Sequence, residues 1–418
     1  MWTVKSLFLM LLLDNLFVKS DVPLCSPEYC REFTLEVGCP STAPHCAINN
    51  ETHTGMWLPS PTLCNCCEYC LPFYGEGDEC SLGGPGLGTT IGRCGPGLYC
   101  TEDSTANRCR RMDTACHRAQ DDYDARYANG ETFTLEMRPR CDDKGQYAPF
   151  TCNPTSTCFC VSEEGERIFG EFLYMGETTL RETNYCGCSR FNQKITGYYD
   201  GSVPYPVVGP RCNADGSFNP VQCIDRICYC MDKLSGVINE RHWVDLDENP
   251  ISELPCYEPN LDLYPEISDK PPFNYTATPC LRNMNMRIEE ILEGEAEGFN
   301  MDMYSEIPEC AFDGSYGRMI INENGTKLCV DERGHPIDNY QAEPGTLEYN
   351  SMDCKCAITS KIMEKSAEQP VCCSNGNYRT IQCRRGQCYC VDSDGRQTTH
   401  ESTDVTLLSC YSFTWRAC

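Results

Sequence analysis

The sequence predicts a chain of small disulfide-rich modules, loop-rich with short antiparallel strands. Three observations predict it. Cysteine makes up 36 of the 418 residues, a density at which crosslinks stand in for an apolar core in modules too small to build one. The cysteine spacings repeat along the chain. Glycine and proline crowd the intervals, as in Gly83-Gly84-Pro85-Gly86 and Gly95-Pro96-Gly97, a composition of turns and short strands, not helix. The cysteines sort into one module of twelve and four copies of a six-cysteine module, one of which lacks two.

Residues 1–20 read as a secretory signal peptide. Lys5 gives a basic start, Leu7 to Leu13 an apolar run broken by Asp14 and Asn15, and Ser20 a small residue at the cut. The run is too short to span a bilayer, and no later segment could do so. The sequons at Asn50, Asn274 and Asn324 agree with export and are candidate glycosylation sites. Export places the thiols in an oxidising compartment, so the chain is expected to be secreted and extracellular. The formal charge of −27 disfavours nucleic acid as a partner and serves solubility first.

Residues 21–112 form the twelve-cysteine module: Cys25, Cys30, Cys39, Cys46, Cys64, Cys66, Cys67, Cys70, Cys80, Cys94, Cys100 and Cys109. An even count lets six bridges close, with their connectivity open. Adjacent Cys66 and Cys67 must reach different partners, because a bridge between neighbours is strained. A zinc cluster is the weaker reading, since it needs reduced thiolates. The C-x-C-C-x-x-C run from Cys64 to Cys70 and the stretch Cys94-Gly95-Pro96-Gly97-Leu98-Tyr99-Cys100 resemble the amino-terminal domain of insulin-like-growth-factor-binding proteins. The resemblance implies capture of an insulin-like or other growth-factor peptide by apolar residues near the last bridges, with Leu98 and Tyr99 as the matching candidates. The run from Thr101 to Arg108 is polar where that family places leucines.

The rest repeats. Copy one (residues 113–186) holds Cys116, Cys141, Cys152, Cys158, Cys160 and Cys186. Copy two (187–256) holds Cys188, Cys212, Cys223, Cys228, Cys230 and Cys256. Copy four (355–418) holds Cys356, Cys372, Cys383, Cys388, Cys390 and Cys410. In each, the second and third cysteines lie eleven apart, and a glycine follows the second by four: Gly145, Gly216 and Gly376. An aromatic comes next: Tyr147, Phe218 and Tyr378. Copy three (280–354) keeps Cys280, Cys310, Cys329 and Cys354, while Ile321 and Lys327 stand at the third and fourth positions. Joint loss of two cysteines is what a bridge between them predicts, since a single orphan thiol would be reactive. The remaining four are then expected to pair first with second and fifth with sixth.

This repeat resembles the thyroglobulin type-1 domain over residues 116–410, on the motifs Pro139-Arg140-Cys141-Asp142 with Gly145, and Cys158-Phe159-Cys160-Val161. The resemblance implies bridges one-two, three-four and five-six, and a short helix in each thyroglobulin type-1 copy after its first cysteine. In copy three the spacing of Leu281, Met284, Ile288, Ile291 and Leu292 over residues 281–304 is helical. The family's central tryptophan is replaced by Phe159, Tyr229, Leu328 and Tyr389. Packing against the adjacent bridge is the favoured role for these side chains, with partner contact by Phe159, Tyr229 and Tyr389 as the alternative. The family includes inhibitors that insert a wedge of loops into the cleft of papain-like cysteine proteases. A bridge-closed loop is ordered before it docks and so loses little entropy on binding. The candidate wedges are Cys152 to Cys160, Cys223 to Cys230 and Cys383 to Cys390, with the segment after each first cysteine. Copy three, without its stiffening bridge, is expected to be inactive.

Of the two remaining cysteines, Cys373 is expected to bridge to Cys418 and tie down the tail. One residue separates copies one and two, and likewise copies three and four, whereas residues 257–279 form a proline-rich acidic linker. Two rigid pairs on a looser strap are therefore expected. No catalytic residues, cofactor motif or metal-ligand spacing stand out. The histidines at 45, 53, 117, 242, 335 and 400 are scattered, and Asp392-Ser393-Asp394-Gly395 reads as a turn because it lacks a calcium loop's sixth-position glycine. The chain reads as a binding protein, not an enzyme: first an inhibitor of papain-like cysteine proteases, alternatively a growth-factor-peptide binder or an extracellular matrix or adhesion protein that exploits multivalency.

Overall fold

The computed structural model describes residues 25–39, 55–59, 64, 66–82, 92–102, 106–153, 156–176, 186–197, 209–224, 226–258, 279–299, 307–308, 310–364 and 368–413. The signal segment 1–20, Cys46, Cys418 and the sequons' Asn50 and Asn274 lie outside them. The chain divides into two compact units, Met1–Met112 and Asp113–Cys418. Among the described residues no helix is long and apolar enough to cross a membrane.

The first unit opens with a helix that the glycine-rich composition did not announce, α1 (Pro27–Glu36). Pro27 suits a first helical position, and the Ser26 hydroxyl caps the end by accepting from the Tyr29 N–H at 3.1 Å. The helix buries no residue. Bridges hold its surroundings instead: Cys25–Cys64, Cys30–Cys66 and Cys39–Cys67. Adjacent Cys66 and Cys67 thus reach different partners. Strand β1 (Gly55–Pro59) pairs antiparallel with β2 (Glu68–Tyr74), and β3 (Arg93–Cys94) joins β2 in parallel. A separate hairpin, β4 (Leu98–Thr101) and β5 (Arg108–Arg111), is tied in by Cys80–Cys100 and Cys94–Cys109.

The second unit repeats one plan. Each copy has a helix that begins one residue before its first cysteine: α2 (Ala115–Ala128), α3 (Gly187–Thr196), α4 (Pro279–Ala296) and, in copy four, α6 (Lys355–Ile362), which follows the short α5 (Leu347–Ser351). Helix α4 stops at Ala296, short of the residue-304 limit of the periodic pattern. It packs Met284, Leu281 and Ile288 around Cys280–Cys310 and leaves Leu292 in solvent. A first-to-second bridge then holds each helix to the glycine turn: Cys116–Cys141, Cys188–Cys212, Cys280–Cys310 and Cys356–Cys372. Copies one to three continue as three-stranded antiparallel sheets: β6 (Phe150–Cys152), β7 (Thr157–Val161) and β8 (Arg167–Leu173); β9 (Val221–Ile224), β10 (Ile227–Met231) and β11 (Ile238–Asp245); β12 (Met319–Ile321), β13 (Lys327–Val330) and β14 (Pro336–Ala342). Copy four has the hairpin β15 (Ile381–Arg384) and β16 (Gln387–Cys390), flanked by a backbone hydrogen-bonded pairing of Cys388 with Ser402.

The aromatic after each glycine turn needs a second glycine. Tyr147, Phe218, Tyr316 and Tyr378 lie against Gly165, Gly236, Gly334 and Gly395, all at positive φ. A Cβ on any of these would come within 3.0 Å or less of the ring. Only glycine combines that backbone with that approach.

Neighbouring copies dock by one rule. The fifth-to-sixth bridge of one copy lies under the glycine turn of the next. In the first pair the Glu171 N–H donates to the Ala214 carbonyl at 3.1 Å, and Cys160 Sγ lies 3.5 Å from the Asp215 carbonyl. In the second pair Gln341 N–H donates to Ser374 at 2.9 Å, and Cys329 Sγ lies 3.6 Å from Asn375. Linker residues 259–278 lie outside the described residues, but the two pairs themselves are in contact. Copy two meets copy three where the Cys212 N–H donates to the Phe312 carbonyl at 3.1 Å, and Phe312 sits edge-on to Phe169 of copy one. Copy four meets copy one through Leu135 N–H to Gln397 Oε1 at 2.8 Å and Phe133 edge-on to His400. Contacts therefore run one-two-three-four and back to one. The linker's composition bears on the peptide alone and says nothing of these faces, which the pairs present to each other.

Candidate functional site

The candidate site is the hairpin tip of each copy, with the central side chain behind it. In copy one, Cys152–Cys158 closes the loop, and the two cysteines sit opposite each other on β6 and β7. The tip is not free. The Asn153 side-chain amide donates to the Asp394 carbonyl of copy four at 2.9 Å, and Ser156 Oγ lies 3.1 Å from Met363 Sδ. Behind it Phe159 is 0% exposed, with the guanidiniums of Arg167 and Arg396 over its ring at centroid distances of 4.3 and 5.0 Å. Phe159 is thus packed inside the chain, with cation–π contacts on the ring.

What seals that face is an ion cluster in which Arg167 and Glu171 are buried and Asp394 and Lys355 half-buried. Arg167 bonds Glu171 at 2.6 Å and lies 3.5 Å from Asp394, which Lys355 bonds at 2.7 Å. Thr359 Oγ1 donates to Glu171 and accepts from the Tyr378 hydroxyl at 2.7 Å. Burial by itself would raise the Asp394 carboxyl, but Arg167 and Lys355 outweigh it and hold the group below the ordinary aspartate range. Burial raises the nearby Asp353 carboxyl.

Copy two presents the opposite picture. Cys223–Cys228 closes its tip. Ile224 and Ile227 form a cross-strand pair on the outer face, 65% and 40% exposed, and Trp243, opposite Tyr229, is 58% exposed. Tyr229 is half-buried, and burial raises its phenol.

Copy four closes its tip with Cys383–Cys388, directly opposite each other. Arg385 (φ +50°) and Gly386 (φ +81°) both occupy the left-handed region, as a two-residue hairpin turn whose twist matches the strands requires. Glu368 binds both arginines, Arg384 through Oε2 and Arg385 through Oε1 at 3.1 Å. Tyr389 is half-buried behind the tip, and burial raises its phenol.

In copy three Ile321 pairs with Lys327 where the other copies have a bridge. The Asn322 carboxamide closes the turn instead, accepting from the N–H groups of Asn324 and Thr326 at 3.0 Å each. Asn324 stands exposed at this tip. Cys329–Cys354 completes the copy's pairings. Copies one, two and four complete theirs with Cys160–Cys186, Cys230–Cys256 and Cys390–Cys410. Cys373 is disulfide-bonded.

In the first unit Tyr99 is 46% exposed and Leu98 half-buried, both on β4. The sulfurs of Cys80, Cys94 and Cys109 cluster there, but they belong to two adjacent bridges and offer no thiolate to a metal. Asp392 to Gly395 is a turn, with Asp392 Oδ1 accepting from the N–H groups of Asp394 and Arg396.

A sequence profile described as thyroglobulin type-1 repeat matches residues 109–176, 188–242 and 355–410. One described as fungal protease inhibitor matches residues 16–113. Among similar proteins, equistatin of Actinia equina is 26% identical over 200 residues, covering 47% of this chain and 71% of equistatin. Mouse nidogen-2 is 28% identical over 130 residues, 27% of this chain and 9% of nidogen-2. Mouse thyroglobulin is 24% identical over 308 residues, 63% of this chain and 11% of thyroglobulin. The chain thus spans about a tenth of the two long relatives and most of the short one. It carries thyroglobulin type-1 repeats in both of its docked pairs, behind an amino-terminal region matched by a protease-inhibitor profile.

Proposed function

We propose that this chain is a secreted inhibitor of papain-like cysteine proteases acting through the hairpin tips of copies two and four. The observation that carries the reading is the division among the tips. Among the described residues, those of copies two and four are bridge-closed and not sealed by another copy, that of copy one is sealed under copy four, and that of copy three lacks the bridge. A preordered, crosslinked loop suits cleft insertion, because ordering it on docking costs little. The likeness to equistatin across most of that protein's length supports the reading. The profile match over residues 16–113 extends it to the amino-terminal unit as a further inhibitory module.

Titration of the purified chain against a panel of active-site-counted papain-like proteases tests the proposal. Stoichiometric inhibition at submicromolar concentration is expected. No inhibition at micromolar concentration would leave the adhesion reading, which the nidogen-2 likeness supports.

A further inference from the structure

The tip of copy four differs in chemistry from that of copy two, and copy one helps to build its surroundings. Beside the tip lies a groove of about 270 Å³. Gln382, Arg385 and Tyr389 of copy four line one side, and Leu135, Asn153 and Ser156 of copy one line the other. Two contacts already described, Leu135 N–H to Gln397 and Asn153 to Asp394, fix copy one's wall in place. The loop that cannot act as copy one's own wedge therefore shapes the flank of copy four's.

The charge at this tip runs against the rest of the chain. The protein carries a formal charge of −27, yet Arg384 and Arg385 stand side by side at the turn. Glu368 bonds both and orients them. The Arg385 side chain is 77% exposed, on a backbone locked by the tight turn. An acidic chain repels an acidic partner at long range, so attraction has to be local and directional, which favours one approach over others.

Resting on the inhibitor reading above, we propose that copy four's tip is a composite cationic head for a papain-like protease whose cleft rim is acidic: Arg385 meets rim carboxylates while the groove walled by copy one receives a side chain from that rim. Copy two's apolar tip suits a different cleft.

The test uses the full chain in an Ile224→Asp background that silences copy two. Association with an acid-rimmed papain-like protease is followed by stopped flow at several salt concentrations. Arg385→Glu is expected to slow association about tenfold at low salt and to flatten its salt dependence. Leu135→Trp, which fills the groove from copy one's side, is expected to raise the dissociation rate about tenfold. An unchanged association rate and salt slope for Arg385→Glu, with the parent still inhibiting, would overturn the cationic head and spare the inhibitor reading. An unchanged dissociation rate for Leu135→Trp would remove copy one's share. Failure of the wild-type chain to inhibit any such protease would remove both proposals together.

Discussion

The Asn153 side-chain amide of copy one donates to the Asp394 main-chain carbonyl of copy four, and the Asp394 carboxylate in turn takes Lys355 and faces Arg167. One aspartate thus closes a loop with its backbone and neutralises buried cations with its side chain. Replacing Asp394 by Asn leaves Arg167 with Glu171 alone and Lys355 short of its nearer partner. Losing one member of a fully buried ion pair costs about 3–5 kcal/mol, and a loss at or below the lower end is expected because Asp394 is half-buried and Glu171 remains. Chemical denaturation of the variant beside the parent measures it.

The same aspartate sets an acid limb. Its folded-state carboxyl lies below the ordinary range, so its contribution is complete above the unfolded value of about 4 and is lost as pH falls through the lower folded value. The charged groups facing it are Arg167, Lys355 and Arg396, with Glu171 one bond beyond. Asp353, raised by burial, acts in the opposite sense and gains on acidification. Denaturation midpoints taken from neutral pH down to about pH 2 are expected to fall less steeply for Asp394→Asn than for the parent.

Bridges at the tips separate stability from binding. Paired Cys→Ser changes at 383 and 388 open a loop with a sequence separation of five and are expected to cost about 2 kcal/mol by chain entropy. They are also expected to weaken protease binding about tenfold, because the tip must then be ordered on docking. The same change at 152 and 158 should cost similar stability and leave affinity unaltered, since that tip already lies under copy four. Parallel inhibition and unfolding measurements distinguish the two pairs.

Gly395 tests the repeated aromatic seat. An added Cβ would stand 2.7 Å from the Tyr378 ring on a backbone at φ +78°. Gly395→Ala combines left-handed strain with overpacking, and a loss of about 2–4 kcal/mol is expected. Because the Tyr378 hydroxyl bonds Thr359 in the ion cluster, loosening should appear as faster amide exchange at the copy one–copy four contact.

Asn324 predicts a surface effect. It stands exposed at the tip of copy three in an Asn-Gly-Thr sequon. Asn324→Gln should remove the mass of one glycan from the secreted chain and leave protease inhibition unchanged. A gain of inhibition would show that this tip is masked and not inactive.

Much of the architecture was legible because cysteine spacing is a covalent record. The joint absence of cysteines at 321 and 327 pointed to a missing third-to-fourth bridge, and the glycines at 145, 216 and 376 announced turns. The second set of glycines, at 165, 236, 334 and 395, carries a fainter signal. Each follows its aromatic by seventeen or eighteen residues, an interval readable only once the ring is known to need a bare backbone against it. Docking between copies one and four was not legible. Its contacts join residues such as Thr359 and Glu171, 188 positions apart, and no local pattern marks two polar side chains as partners. For that reason Phe159 and Tyr229 looked equivalent in sequence, yet one is sealed and the other borders solvent.

The closed circuit of contacts bears on survival among proteases. Residues 113–258 and 279–418 meet at two seams, copy two with copy three and copy four with copy one, and the contacts described at both are made by residues outside the peptide that links them. A cut between Tyr257 and Pro279 would leave two fragments that still travel as a single particle, parting only under denaturant.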